Sequence, residues 1–220
     1  MNLKTFVFCF VFIISTGLTI AQRSIRFILE NDSIITAPVK LSATDSLSVL
    51  RFYISELEVL QNRKVIWRDE FKHHLIDFSE GHKNQLKLSL PKGTKGEELR
   101  FLLGVDSETA EKGIGEGDLD PLNGMYWTWQ SGYINFKMEG VSLKSPARKH
   151  RFQLHLGGFQ KPFRATQEVR LSINEQDVIV AFDLQKFISK ISFKEQNSIM
   201  SPGEQAVTLS RLAKSCFYAQ

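Results

Sequence analysis

Apolar and polar residues alternate with period two along most of this chain, and β-branched and aromatic residues fill the alternating runs. That pattern predicts half-buried strands, because successive side chains of an extended chain point to opposite faces. Ser24 to Leu29 reads as a first strand and Leu47 to Leu60 as a long one. The apolar parity of the long strand slips near Ser55-Glu56, which predicts a bulge or bend there. Lys64 to Arg68, His73 to Phe78, Leu86 to Leu90 and Glu98 to Val105 follow. A long loop rich in glycine and acidic residues, Asp106 to Asn123, precedes four more strands: Tyr133 to Gly140, Arg151 to Leu156, Gln167 to Ile173 and Asp177 to Phe182. Helical signal is weak. Asp183 to Ser189 reads as one or two turns, and Gly203 to Leu212 as a C-terminal helix opened by Ser201-Pro202. Many short strands with turn residues between them predict an all-β, single-domain β-sandwich of Greek-key type, with long loops and a short C-terminal helix.

The N-terminus changes the picture of where that domain works. Lys4 precedes an apolar run from Phe6 to Ile14, and Thr19 and Ala21 place small residues before Gln22. This is the form of a secretory signal peptide over residues 1–21, with residues 22–220 as the mature domain. The apolar run falls short of the roughly 20 residues a membrane helix needs, so the mature chain is expected to have no membrane span and to be periplasmic or secreted. Cleavage removes Cys9 and leaves Cys216 alone, so no internal disulfide framework is expected and the apolar core must supply the stability.

The formal net charge of +4 is mild, and its lysines and arginines are scattered. Basic and aromatic residues do not interleave as a nucleic-acid groove requires, so no nucleic-acid partner is expected. Gly-x-Ser-x-Gly, His-Glu-x-x-His, phosphate-loop and haem-attachment patterns are lacking, so the chain does not read as an enzyme.

Candidate chemistry concentrates in two places. Met125 to Tyr133 is the densest aromatic cluster, and Trp127 and Trp129 share parity, so both rings face one side of an extended chain. Such rings cap the end of a sandwich or line a site. Asp118, Asp120 and Asn123 just upstream read as turn residues bonding nearby amides, since their spacing does not fit a twelve-residue calcium loop. Among the histidines, His155 lies on the face opposite Phe152, Leu154 and Leu156, with Gly157-Gly158 leaving room beside it. His74 shares parity with Ile76 and Phe78 and reads as an inward histidine, satisfied by a backbone partner or serving as a ligand. No histidine pair has the spacing of a local metal clip.

The stretch Gly117-Asp118-Leu119-Asp120-Pro121, followed by Gly124-Met125-Tyr126-Trp127-Thr128-Trp129-Gln130-Ser131-Gly132-Tyr133 and Phe136 to Gly140, resembles the signature of the MbnP-like copper-binding family. Leu50 to Ser55, His74 to Asp77, Gly104 to Ser107, Phe152 to Gly158 and Ile199 to Gly203 extend the resemblance over the mature chain. The resemblance implies an extracytoplasmic copper protein for scavenging, storage or delivery, binding Cu(I) or Cu(II). It implies His74 and His155 as ligands, with Trp127 or Trp129 converted to kynurenine by a partner dihaem oxidase of the cytochrome c peroxidase type. Two departures from the family pattern stand in this chain. Trp129 occupies the position two residues after Trp127 where some relatives carry a histidine, and His73 precedes His74 where an aromatic residue is expected. The alternative is a metal-free module that grips a ligand or partner with its Trp127/Trp129 face.

Overall fold

A computed structural model of the chain describes residues 23–29, 38–79, 86–128, 130–174 and 177–220. The expected signal peptide, Trp129 and His82 lie outside the described residues.

The alternating runs form strands close to where the sequence puts them. In chain order they are β1 (Ser24–Leu29), β2 (Val39–Lys40), β3 (Asp45–Gln61), β4 (Lys64–Arg68), β5 (His73–Asp77), β6 (Lys87–Ser89) and β7 (Glu98–Leu103). The second half contributes β8 (Tyr126–Thr128), β9 (Gly132–Ser142), β10 (Arg151–Gly157), β11 (Gln167–Ser172), β12 (Val178–Phe182), β13 (Ser198–Ile199) and β14 (Phe217–Ala219). Helices are few: α1 (Ser107–Lys112), α2 (Leu184–Ser189) and α3 (Glu204–Lys214). The fold is an all-β sandwich, as the periodicity predicts.

One sheet has the order β14-β12-β1-β6, with β1 and β12 parallel. The larger sheet is organised by β3. Phe52 pairs with both Phe136 of β9 and Ile76 of β5, and Ile54 pairs with both Leu103 of β7 and His74 of β5. A strand residue has one neighbour on each edge, so β9 and β7 share one edge of β3 while β5 occupies the other. The switch between β9 and β7 falls at Tyr53, between Phe52 and Ile54, and the predicted bulge follows it within the β3/β7 ladder. Glu56 adopts φ 50°, and the β3/β7 register shifts between Ser55 and Glu58. Such a bulge bends the strand and lets one long strand serve two parts of a curled sheet.

The main core lies between the two sheets. Ile25, Phe27, Val180 and Phe182 from the smaller sheet meet Phe52, Phe101, Phe136 and Leu154 from the larger. Ring pairs such as Phe27–Phe101 at 5.4 Å and Phe136–Phe182 at 5.5 Å join the layers, in the edge and tilted geometries aromatic pairs favour. Helix α3 packs on β10 and β11 and closes one end.

A second, smaller core forms on the outer face of the larger sheet, from Tyr53, Leu75, Val105, Ala110, Met125, Tyr133, Ile134 and Phe159. The segment from Gly104 to Thr128 covers it. The sequence reads part of that segment as loop, yet it contains α1 and two 3-10 turns, Gly117–Leu119 and Pro121–Asn123. Asp106 starts α1 by accepting from Thr109 N at 3.1 Å, a cap that satisfies a donor otherwise orphaned at a helix start. Asp118 accepts from Leu75 N at 2.8 Å, and Asp120 from Leu122 N at 2.8 Å. Asn123 donates to the Gly117 and Asp118 carbonyls. The Asp118 bond pins the covering segment to β5, and the Asp120 and Asn123 bonds brace its turns internally.

Candidate metal centre

Cross-strand register defines a row on the covered outer face. Asp77 of β5 pairs with Arg51 of β3, Arg51 with Lys137 of β9, and Lys137 with His155 of β10. The Arg51 guanidinium meets Asp77 Oδ2 at 2.7 Å and donates from Nη1 to the Asn123 carbonyl at 2.9 Å. Lys137 Nζ donates to the Gly124 carbonyl at 3.1 Å and lies 3.5 Å from Glu139. Both cations therefore tie the sheet to the covering segment.

His155 ends the row and is 5% exposed. Its Nε2 lies 2.6 Å from Glu139 Oε1. The Glu139 carboxyl is pulled down to about 2, chiefly by this hydrogen bond with help from Lys137 and against a desolvation penalty. An ionised carboxylate only accepts, so Nε2 donates to Glu139, and in the neutral imidazole Nδ1 then carries the free lone pair. That Nδ1 is buried and has no hydrogen-bond partner. A carboxylate on one ring nitrogen and an open lone pair on the other is the arrangement in which histidines ligate metals.

Trp127 stands over the same strand end. A Cβ added to Gly157 would fall 2.8 Å from Trp127 Cζ3 and 2.5 Å from the Tyr133 carbonyl oxygen, so only glycine lets the indole approach this closely. Gly157 is two residues from His155 on the same face, about 7 Å along the strand at roughly 3.3 Å per residue. Trp127 Nε1 is also buried without a partner, as are Tyr126 Oη and Asn135 Nδ2. Four buried side-chain polar atoms without partners thus fall on three adjacent strands, β8, β9 and β10. Native structures pair nearly all such atoms, so each of these is open to a ligand or an ordered water.

His74 does not join this site. Its neighbours in register and parity, Ile54 and Ile76, belong to the main core, and so His74 projects to the face opposite His155. It pairs through Nε2 with Asp69 and packs edge-on against Phe71. β5 is also three strands from β10, roughly 14 Å at about 4.8 Å per strand. The expectation that His74 and His155 converge is therefore corrected. The parity of β5 puts His73, not His74, on the covered face. There His73 Nε2 meets Asp106 Oδ2 at 2.9 Å, far across the sheet from His155. Burial lowers the His73 pKa and the Asp106 carboxylate opposes it, while Asp106 itself is held well below the usual carboxylate range. Among the described residues no three His, Cys, Asp or Glu side chains cluster as a metal cage.

One residue that the parity argument did not single out belongs to the site. Glu139 orients His155, and its parity on β9 could have found it. Met200 follows Ile199, which pairs with Leu154, and Pro202 Cβ lies 3.0 Å from a Cβ built on Gly158. The chain carrying Met200 therefore runs beside β10 past His155.

These features define an all-β sandwich carrying a carboxylate-oriented histidine beside a glycine-seated tryptophan. The chain belongs to the MbnP family, whose profile matches residues 25–201. Among solved structures it is similar to MbnP from Methylosinus trichosporium, at 14% identity and TM-score 0.50, covering 85% of this chain and 86% of that one. At that identity the likeness speaks for the fold alone. No curated protein matches.

Proposed function

We propose that this chain is an extracytoplasmic copper-binding protein whose site is built on His155 and Trp127. The observation that carries the reading is the buried, unpartnered Nδ1 of His155, with Nε2 held by Glu139. Imidazole is a good donor to copper in either oxidation state, and copper heads the divalent affinity order. An intact indole N–H donates a proton and is a poor ligand. Conversion of Trp127 to kynurenine leaves an amine at the nitrogen that is now buried without a partner, and that amine supplies a second donor. A dihaem oxidase of the cytochrome c peroxidase type is the proposed agent, with peroxide or dioxygen as the oxidant that cleaves the pyrrole C2–C3 bond and water then releasing C2 as formate. Met200, on the stretch flanking β10, offers a thioether, a soft ligand suited to Cu(I). His74 is no part of this site. Export by residues 1–21 accords with copper handling outside the cytoplasm.

The test is Cu(I) and Cu(II) titration against a competing chelator, on protein from a host that carries the oxidase, with intact mass recorded first. The mass of the Trp127 peptide is expected to change by one oxygen gained and one carbon lost. His155→Ala is expected to weaken both copper ions at least about tenfold, the effect of losing one charged-group interaction of about 1.5 kcal/mol. Met200→Leu is expected to weaken Cu(I) selectively. Wild-type affinity in His155→Ala rejects the site. An unmodified, copper-free chain that binds an organic ligand through Trp127 favours a metal-free aromatic module instead.

A further inference from the structure

The turn between β9 and β10 is strained and carefully held. Lys149 and His150 both sit in the left-handed region, at φ 59° and 54°, a conformation costing about 1 kcal/mol or more for each non-glycine residue. Several bonds fix it there. His150 N donates to the Ala147 carbonyl at 2.9 Å, and His150 Nδ1 to the Ser145 carbonyl at 3.0 Å. Ser145 Oγ donates to the Arg151 carbonyl at 2.6 Å. The turn presents Arg148, Lys149 and Arg151 around a cavity of about 340 Å³, whose wall also holds Gln153, Asn197 and Ser198. No carboxylate lines it.

Several cations elsewhere in the chain are paired. Arg51, Arg68, Lys72, Arg100, Lys112, Lys137 and Arg170 each meet a carboxylate. Arg148, Lys149 and Arg151 have no such partner among the described residues. Three like charges held about one concavity by a strained turn repel each other, and an anion relieves that repulsion. Arginine forks bind oxyanions through paired N–H donors, lysine adds a point charge, and the Gln153 amide and Ser198 hydroxyl offer neutral donors. We infer that this cavity is a binding site for a phosphate-class oxyanion, separate from the His155 centre. The same chemistry is offered by free phosphate and by the headgroup of an anionic phospholipid. Exposed Val141 and Leu143 flank the turn and would enter an interface if the source is a lipid.

Two measurements on the full mature chain test this: calorimetric titration with inorganic phosphate, and co-sedimentation with phosphatidylcholine vesicles with or without phosphatidylglycerol. Arg148→Gln/Arg151→Gln is compared with Lys87→Gln/Lys92→Gln, which removes the same charge from exposed lysines elsewhere. Binding of either probe is expected to fall at least about tenfold in the arginine pair, on the scale of one lost charge-assisted bond, and to stay near wild type in the lysine pair. Phosphate binding without vesicle binding assigns a free oxyanion, and vesicle binding that needs phosphatidylglycerol assigns a headgroup. Equal losses in both variants, or no binding of either probe by the wild type, overturn the inference. Unchanged unfolding temperature in the arginine pair separates lost binding from lost folding.

Discussion

Gly157→Ala tests whether the indole of Trp127 is seated on β10 by the absence of a side chain. The backbone of Gly157 is not in the left-handed region, so alanine brings no conformational penalty and the perturbation is one methyl group. That methyl would lie 2.5 Å from the Tyr133 carbonyl oxygen and 2.8 Å from Trp127 Cζ3, and carbon atoms do not tolerate contacts below about 3 Å. The carbonyl belongs to the neighbouring strand of the same ladder and cannot swing aside as a side chain would. Overpacking of this kind costs about 1–3 kcal/mol, and the fixed backbone contact puts this site near the upper end. For a chain of this size the loss corresponds to a fall in Tm of about 5–10 °C, at roughly 2–4 °C per kcal/mol. Gly203→Ala serves as the control, because a Cβ there meets nothing within 4 Å and only the glycine N-cap of α3 is lost, a change expected to cost no more than about 1 kcal/mol. Thermal unfolding followed by calorimetry gives the stability, and near-ultraviolet circular dichroism reports displacement of the indole. If Gly157→Ala melts with Gly203→Ala and leaves the aromatic spectrum unchanged, the close seating of Trp127 is wrong, and the proposed copper site loses one wall.

Two further outcomes follow from the charges around that face. The Glu139 carboxyl is lowered from 4.5 to about 2 in the folded chain, first by the hydrogen bond from His155. A depressed folded-state value contributes stability above the unfolded value and loses it as pH falls from about 4.5 toward 2. The contribution is about 1–2 kcal/mol after solvent screening of a half-buried group, and Glu139→Gln is expected to flatten the acid limb of a urea-unfolding series by that amount. Asp106→Ala removes the α1 cap and the partner of both His73 and Lys72. It is expected to cost about 2 kcal/mol, whereas Asp106→Asn keeps a capping oxygen and loses less, as chemical denaturation of the pair can show.

How much of this was legible beforehand differs between strand and site. β1 and β4 begin and end at the predicted residues, and the parity slip at Ser55-Glu56 marks the bulge in the β3/β7 ladder. Local side-chain alternation encodes such features directly. The covering segment was harder. Its α1 is six residues long and gains its stability from the Asp106 cap and from burying Ala110 against the sheet, neither of which leaves a periodic trace. The aromatic cluster and the face of His155 were readable, and so was the family signature.

The sequence by itself determined the all-β class, the ends of β1 and β4 and the sidedness of His74 and His155 within their own strands, because these depend on neighbours a few positions away. Only the tertiary structure decided which faces meet. The β3 ladder sets β5 and β10 three strands apart, sends His74 toward the main core and His155 to the covered side, and brings Glu139 onto one imidazole nitrogen. Register between distant strands is fixed by the packing of whole faces, since a slip of one residue would exchange buried and exposed sides throughout. No local spacing carries that information, and for this reason the predicted pair of ligands separates while an unpredicted glutamate joins the site.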